Sequence, residues 1–409
     1  MSKIEDQKAL TVRSGAIAFG FLLSVPAAIG GALALAPLWA VVGVLAAPWR
    51  ALPELARRGG LGLGVLAAFF LWAQVSMLWA PHYDARTSSH MAGGFLTGLL
   101  LIAAFVWRPE ARDSGLVRTA AIGFALAAAI VGAIEIFGRA PITRLFQPHA
   151  QIELLMRAPM KGVTVLVVTA WAIAGLMWRR GALARWGAAV FLLAVFILAL
   201  NSNMDANVAA MIVGAGGFLA GTIFGHRAFR VAGLAVAAFI LLAPAISALA
   251  LPALAQAHLP ASWAMRVAIW SETLPYIAAH PWFGSGFSSF RDVALSFDFA
   301  GSTITAQHTH NAALQIWFET GFVGAALAAG ALGLLAWNGA KALCGDVAGS
   351  AAATGTIAAL TPIAFLSWAP WQEWWVATMF LAGAIAAAAH APTGPDAASA
   401  PGSPAPAAD

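Results

Sequence analysis

The chain of 409 residues is 61% hydrophobic and 10% charged, where an ordinary soluble domain carries about 25% charge, and this excludes a water-soluble globule. Its 22 Lys and Arg against 17 Asp and Glu leave a net charge of +5, spread too thinly to indicate nucleic-acid binding. A single cysteine, Cys344, excludes an intramolecular disulfide and a cysteine zinc cluster.

A membrane-crossing helix needs about 20 apolar residues. Apolar runs fall at residues 14–31, 33–48, 61–80, 90–107, 117–137, 161–178, 186–200, 207–224, 231–251, 311–337, 354–370 and 374–390. They predict twelve transmembrane helices and an all-α polytopic membrane protein, and the 17 Trp beside 2 Tyr fit aromatic belts at its interfaces. Lys3, Lys8 and Arg13 precede the first run like the basic start of a signal peptide. The run leads directly into a second around Trp39, so it reads as an uncleaved first helix. Residues 1–390 form one transmembrane domain with no evident internal repeat, and the Pro/Ala/Ser-rich residues 391–409 read as a disordered cytoplasmic tail.

Cationic side chains favour the cytoplasmic side. A cytoplasmic N-terminus with an even number of spans places there Lys3, Lys8, Arg13, Arg50, Arg57, Arg58, Arg108, Arg112, Arg118, Arg179, Arg180, Arg185, Arg227, Arg230 and Lys341, which is 15 of the 22. The opposite side receives Arg86, Arg139, Arg144, Arg157, Lys161, Arg266 and Arg291. Cations on the disfavoured side are candidates for an anionic partner. The largest segment outside the membrane, about 252–310, lies on that side between the ninth and tenth spans. Its several Trp and Phe argue for order. Ser262 is placed to N-cap a helix running to about Ala279, followed by the breaker His280-Pro281 and a Gly284-Ser285-Gly286 turn.

His310 stands where this loop re-enters the membrane, within Gln307-His308-Thr309-His310-Asn311. A histidine there is a proton acceptor near neutral pH, or it caps the helix or bonds a neighbouring loop. His308 and His310 are two residues apart, which is neither the spacing that puts two ligands on one helix face nor a full metal set. No metal and no cofactor are called for. Arg266 shares a helix face with Trp263, Ile269 and Trp270. Its planar fork suits phosphate, while snorkelling or an ion pair with Glu272 or Asp292 is the plain alternative. Lys161, Arg157 and Arg291 carry the same two readings. Glu319 lies nine residues into the tenth span, about 13 Å deep, half a turn out of phase with His310 on a regular helix. It reads as a structural partner, with Gly321 and Gly324 allowing close packing. Asp205 and Glu373 are outer carboxylates that either orient His310 or an acceptor, or are solvated.

His310-Asn311 followed by Gly321-Phe322-Val323-Gly324 resembles the signature of the O-antigen ligase and Wzy-type polymerase superfamily. The similarity continues through Lys161-Gly162, Asn201-Ser202, Arg266 and Trp270 ahead of AAHPWFGSGF, and WQEWW. It covers about residues 155–380, with the first five spans matching in topology alone. Two positions depart from the pattern: many relatives have Ser-Arg at Ser202-Asn203, and many have Arg at Lys161.

The resemblance implies a GT-C-type integral-membrane glycosyltransferase of the bacterial inner membrane, with both termini cytoplasmic and a periplasmic active site. Its donor would be a glycan on undecaprenyl diphosphate and its acceptor lipid A-core oligosaccharide, with membrane lipids as surroundings and no nucleic-acid partner. Arg266 and His310 would be the catalytic pair. Arg266, Lys161, Arg157 and Arg291 would serve the diphosphate, with Lys161 or Arg157 standing in for the arginine missing at Asn203. Asn311, His308, Glu319 and Asp205 would support them. A lipid diphosphate is already a competent leaving group, so cations that stabilise its charge suffice without a metal, and attack from the opposite face inverts the anomeric carbon. A Wzy-type polymerase, a protein O-glycosyltransferase and a transporter are the rival expectations. The clustering of polar residues in one outer loop, without paired broken spans, disfavours transport.

Overall fold

A computed structural model of the chain describes residues 3–49, 53, 60–81, 85–103, 114–293, 296–299 and 302–390. Helices α1 (Lys3–Ile29), α2 (Leu35–Ala46), α3 (Gly60–Ser76), α4 (Ala85–Ile102) and α5 (Gly115–Phe137) come first. Two short helices, α6 (Pro141–Phe146) and α7 (Ile152–Leu155), lead into α8 (Arg157–Trp178), α9 (Ala182–Leu200), α10 (Asp205–Phe224) and α11 (His226–Gln256). The long loop folds as α12 (Ala261–Ala279), a single turn α13 (Phe290–Val293) and the strands β1 (Ser296–Phe299) and β2 (Ser302–Thr305). Helices α14 (Ala312–Ala342), α15 (Val347–Leu366) and α16 (Glu373–Ala388) complete the chain.

Nine helices among the described residues are long and apolar enough to cross a membrane, and the shorter apolar helices Leu35–Ala46, Met91–Leu101 and Glu373–Ala388 fall on three further predicted runs. Inside a bilayer each backbone polar group needs an internal partner, so apolar sequence of this length folds as helix. The chain is an integral membrane protein. Helix α8 is central: the span Ile152–Trp178 is 89% buried, against 28% for Ala182–Leu200, and α8 packs against α5, α9, α10, α15 and α16. Close approach of α10 to α15 depends on small residues. A Cβ on Gly221 would lie 2.6 Å from Ala351 Cα, and one on Gly217 would lie 2.8 Å from the Thr354 carbonyl oxygen.

Three expectations need correction or fall outside this description. The loop helix starts at Ala261 after Pro260, and no side chain caps it, so Ser262 sits inside the first turn. Proline sets the backbone for helix entry by itself. The all-α reading misses one antiparallel hairpin, in which Ser296 pairs with Thr305 and Phe299 with Ser302. The expected tail 391–409 and the cations Arg50, Arg57, Arg58, Arg108 and Arg112 lie outside the described residues.

Candidate active site

Helix α14 begins with its own cap. Asn311 Oδ1 accepts from the backbone N–H groups of Ala313 and Leu314 at 3.0 and 3.2 Å, satisfying donors that a helix start leaves free. The preceding residue, His310, is thereby thrown out of the helix into a left-handed conformation, φ 54°. Two neighbours hold the turn. Trp270 Nε1 on α12 donates to the Thr309 carbonyl at 2.9 Å, and Thr309 Oγ1 bridges to Asn311.

The histidines converge on one carbonyl at the C-terminal end of α15. His310 Nδ1 lies 2.8 Å and His308 Nε2 3.3 Å from Ser367 O, with the two rings 4.0 Å apart. A carbonyl only accepts, so Nδ1 of His310 carries the proton and Nε2 keeps its lone pair. Burial holds His310 below its ordinary pKa of 6.5, and the Arg266 charge adds to this against the Ser367 bond. Burial, then the neighbouring His310, holds His308 down to about 3. Both imidazoles are therefore neutral at pH 7.

Arg266 reaches both histidines electrostatically. Its Nη1 donates to Ser262 O at 2.8 Å, its guanidinium lies 5.4 Å from the Trp263 ring centre, and its Nε is buried with no partner among the described residues. Burial lowers its pKa and Asp205 opposes the shift, but a guanidinium stays charged at any relevant pH. The structure thus gives Asp205 to Arg266. The group that His310 Nδ1 bonds is the Ser367 carbonyl.

Beside this wall is a polar cavity of about 430 Å³, whose lining includes Lys161, Arg291, Gln315, Glu319, Trp368 and Glu373. Lys161 Nζ lies 5.7 and 5.4 Å from the rings of Trp368 and Trp374. Arg157 is one turn earlier on α8, and its charge bears on Lys161, but it is not part of the lining. His310, His308, Asn311, Arg266 and Asp205 are also outside the lining, so of the expected diphosphate set the cavity gathers Lys161 and Arg291 and does not gather Arg266 and Arg157. Thr164 Oγ1 on α8 donates to Asn207 Oδ1 at 3.0 Å, and Asn207 Nδ2 donates to Ser202 Oγ at 3.2 Å. The Asn201-Ser202 segment thereby fixes the end of α8 that carries Lys161.

Glu319 is fully buried, as a structural partner should be, yet it faces this cavity. Its carboxylate accepts from Gln315 Nε2 at 3.1 Å and Trp371 Nε1 at 2.5 Å, and from the backbone of Ser288 and Phe290. Two residues later α14 breaks at Gly321, φ 63° and ψ −165°. The segment Pro281–Gly286 enters the gap. Ser285 N and Gly286 N donate to the carbonyls of Phe318 and Glu319, while Phe322 N and Val323 N donate to those of Pro281 and Trp282. Trp371 also lines an apolar chamber of about 350 Å³, with Phe69, Ile240, Ile316 and Phe365 among the other lining residues. The sequence offered no sign of Ser367, Gln315 or Trp368 as members of the site, since a carbonyl and an amide carry no motif.

Residues 188–329 match the O-antigen ligase family. The match extends from α9 past the break in α14 and contains Arg266, Arg291, His308, His310 and Glu319, while Lys161, Trp368 and Glu373 lie outside it. It agrees with the resemblance carried by His310-Asn311 and Gly321–Gly324, and it supports an enzyme of the ligase and polymerase type. No curated protein gives a significant match to the chain.

Proposed function

We propose that the chain is an O-antigen ligase of the bacterial inner membrane. It transfers a glycan from undecaprenyl diphosphate to a sugar hydroxyl of lipid A-core at the periplasmic face. The observation that carries this reading is a polar cavity with Lys161 and Arg291 and an apolar chamber that share Trp371 as a wall, together with a neutral histidine. A lipid with an anionic head and a hydrocarbon tail requires that combination.

In this reading Lys161 and Arg291 hold the diphosphate in the cavity, and Arg266 and Arg157 add positive potential from outside its lining. His310 Nε2 accepts the proton of the acceptor hydroxyl as its oxygen attacks the anomeric carbon. The glycosidic bond to the diphosphate breaks, the carrier leaves with the bonding electrons, and the anomeric configuration inverts. Charge stabilisation by fixed cations is the larger contribution, and a positioned base typically adds about 10²- to 10⁴-fold.

Purified lipid-linked glycan mixed with purified lipid A-core should give the joined product with the native enzyme. It should give none with His310→Ala or Arg266→Ala inserted at normal levels; full activity in both variants would eliminate the scheme. EDTA should leave the rate unchanged, because the scheme assigns no step to a metal. Elongation of lipid-linked repeats in place of transfer to core would instead identify a Wzy-type polymerase, and modification of a periplasmic protein would identify a protein O-glycosyltransferase.

A further inference from the structure

Two residues in the lining of the polar cavity carry buried, unpartnered polar atoms that the diphosphate reading leaves unused. Gln315 is buried, 4% exposed, and its Nε2 is committed to Glu319 Oε1 at 3.1 Å. In its ionised form Glu319 only accepts, so turning the amide over would then place two oxygens against each other. Trp371 Nε1 at 2.5 Å and the backbone of Ser288 and Phe290 hold that carboxylate still. Gln315 Oε1 is therefore fixed as an acceptor, and it has no partner among the described residues. Trp368 Nε1 is the complementary case, a donor with no partner among the described residues. Its ring is held edge-on against Trp374, with centres 5.0 Å apart at 84°, and Lys161 lies over it.

Buried polar groups in folded proteins are nearly always paired, and those that are not call for an explanation. Both residues line the cavity that holds Lys161 and Arg291. The ligand that completes it needs a hydroxyl, which both donates and accepts, a flat C–H face for indole, and an adjoining anion for the cations. A bare lipid diphosphate supplies only the anion. The volume of about 430 Å³ is within the range of roughly 300–1,000 Å³ for small-ligand sites. We propose that Gln315 and Trp368 form a sugar-reading subsite for a glycosyl phosphate, with hydroxyls of the sugar next to the phosphate meeting Gln315 Oε1 and Trp368 Nε1. Glu319 is the positioning residue that fixes the polarity of the amide. This rests on the donor occupying the cavity as described above.

The experiment compares inorganic phosphate with glucose 1-phosphate, galactose 1-phosphate and N-acetylglucosamine 1-phosphate, titrated calorimetrically into the purified full-length protein. At least one sugar phosphate should bind more tightly than inorganic phosphate. Gln315→Leu and Trp368→Phe should each weaken that sugar phosphate about threefold to tenfold and leave inorganic phosphate unchanged. Lys161→Met should weaken both kinds of probe. Glu319→Gln frees the amide to turn, so it should reduce the discrimination between sugars while Lys161-dependent phosphate binding persists. The tryptophan variant keeps its ring, so it remains informative if the Gln315 variant does not fold.

Equal affinity for all four probes, or equal weakening of sugar phosphate and inorganic phosphate in both variants, overturns the subsite. Glycan transfer assayed on the same preparations separates the two ideas. Native transfer without sugar discrimination sinks the subsite and leaves the ligase standing, whereas discrimination without transfer does the reverse.

Discussion

His310 takes a backbone conformation that few residues other than glycine adopt, φ 54°, and strain of this kind persists only where surroundings impose it. Here the Asn311 cap, the Trp270 bond to Thr309 and the Ser367 carbonyl impose it together, fixing the tautomer that leaves Nε2 basic. Burial and then Arg266 lower the His310 pKa from 6.5, so the imidazole is the neutral form throughout the neutral range. If it is the base, the transfer rate should stay level as pH falls to 6.5 and decline only below it. Arg266→Gln removes one of the two depressing influences, so the acid limb of its residual rate should move to higher pH; an unmoved limb would mean that Arg266 does not act on this histidine. Stability follows the same sign. His308, depressed to about 3, stays neutral when folded while the unfolded chain takes up a proton, so stability is lost as pH falls from 6.5 towards 3. The sequence made His310, Arg266 and Glu319 visible because ionisable groups at membrane edges are costly. Ser367 was invisible, since the orienting atom belongs to the backbone and could be any residue.

The break in α14 is the element on which the site geometry turns. Gly321 and Gly324 read from sequence as small residues for helix packing, and the helix around them as continuous. Instead Gly321 occupies φ 63° and ψ −165°, a region open essentially to glycine alone. The loop from Pro281 to Gly286 supplies the hydrogen bonds the interrupted helix loses, which is how a break survives at membrane depth. Its other consequence is to fix the backbone of Ser288 and Phe290 on Glu319 and so bring Arg291 to the cavity. Gly321→Ala would add a Cβ that overlaps the Trp282 carbonyl, beyond the cost of about 1–3 kcal/mol for the backbone conformation itself. The variant should keep its helical circular dichroism, become sensitive to proteolysis between residues 281 and 286, and lose transfer at least tenfold. A fully active, protease-resistant variant would show that the docked loop is irrelevant to the site. Periodicity could not foresee the break, because a single residue in a special conformation leaves the apolar pattern intact.

At the scale of the whole molecule, two clusters of titratable groups among the described residues lie at opposite ends of the bundle. The starts of α8, α14 and α16 and the end of α15 gather around Lys161, His310, Glu373 and Ser367. At the opposite ends of these helices Arg179 is ion-paired with Asp346, and His390 Nδ1 lies 2.6 Å from the same carboxylate. Arg179 Nε also donates to the Ala389 carbonyl, and Arg118 Nε to that of Ala388. The apolar runs made most of the helices legible, while the cation bias supplies an expectation for their alternation. The latch at Asp346 was not legible, because residues 179, 346 and 390 meet only after three helices have packed. This two-ended arrangement makes the orientation testable with the chain's own chemistry. Cys344 is the single cysteine, and it is exposed in the turn between α14 and α15, at the Asp346 end. The positive-inside bias predicts that this end faces the cytoplasm. A membrane-impermeant maleimide should therefore label Cys344 in inside-out vesicles and spare it in intact spheroplasts. Ala257→Cys, exposed in the long loop, should label from the opposite side once Cys344 is replaced by Ser. Among the described residues one candidate crossing, α14, separates the two positions, so the two probes should report opposite faces if that helix spans. Labelling of both from one face would remove the span, and labelling with the faces exchanged would put the His310 end in the cytoplasm and contradict the proposed transfer at the periplasmic face.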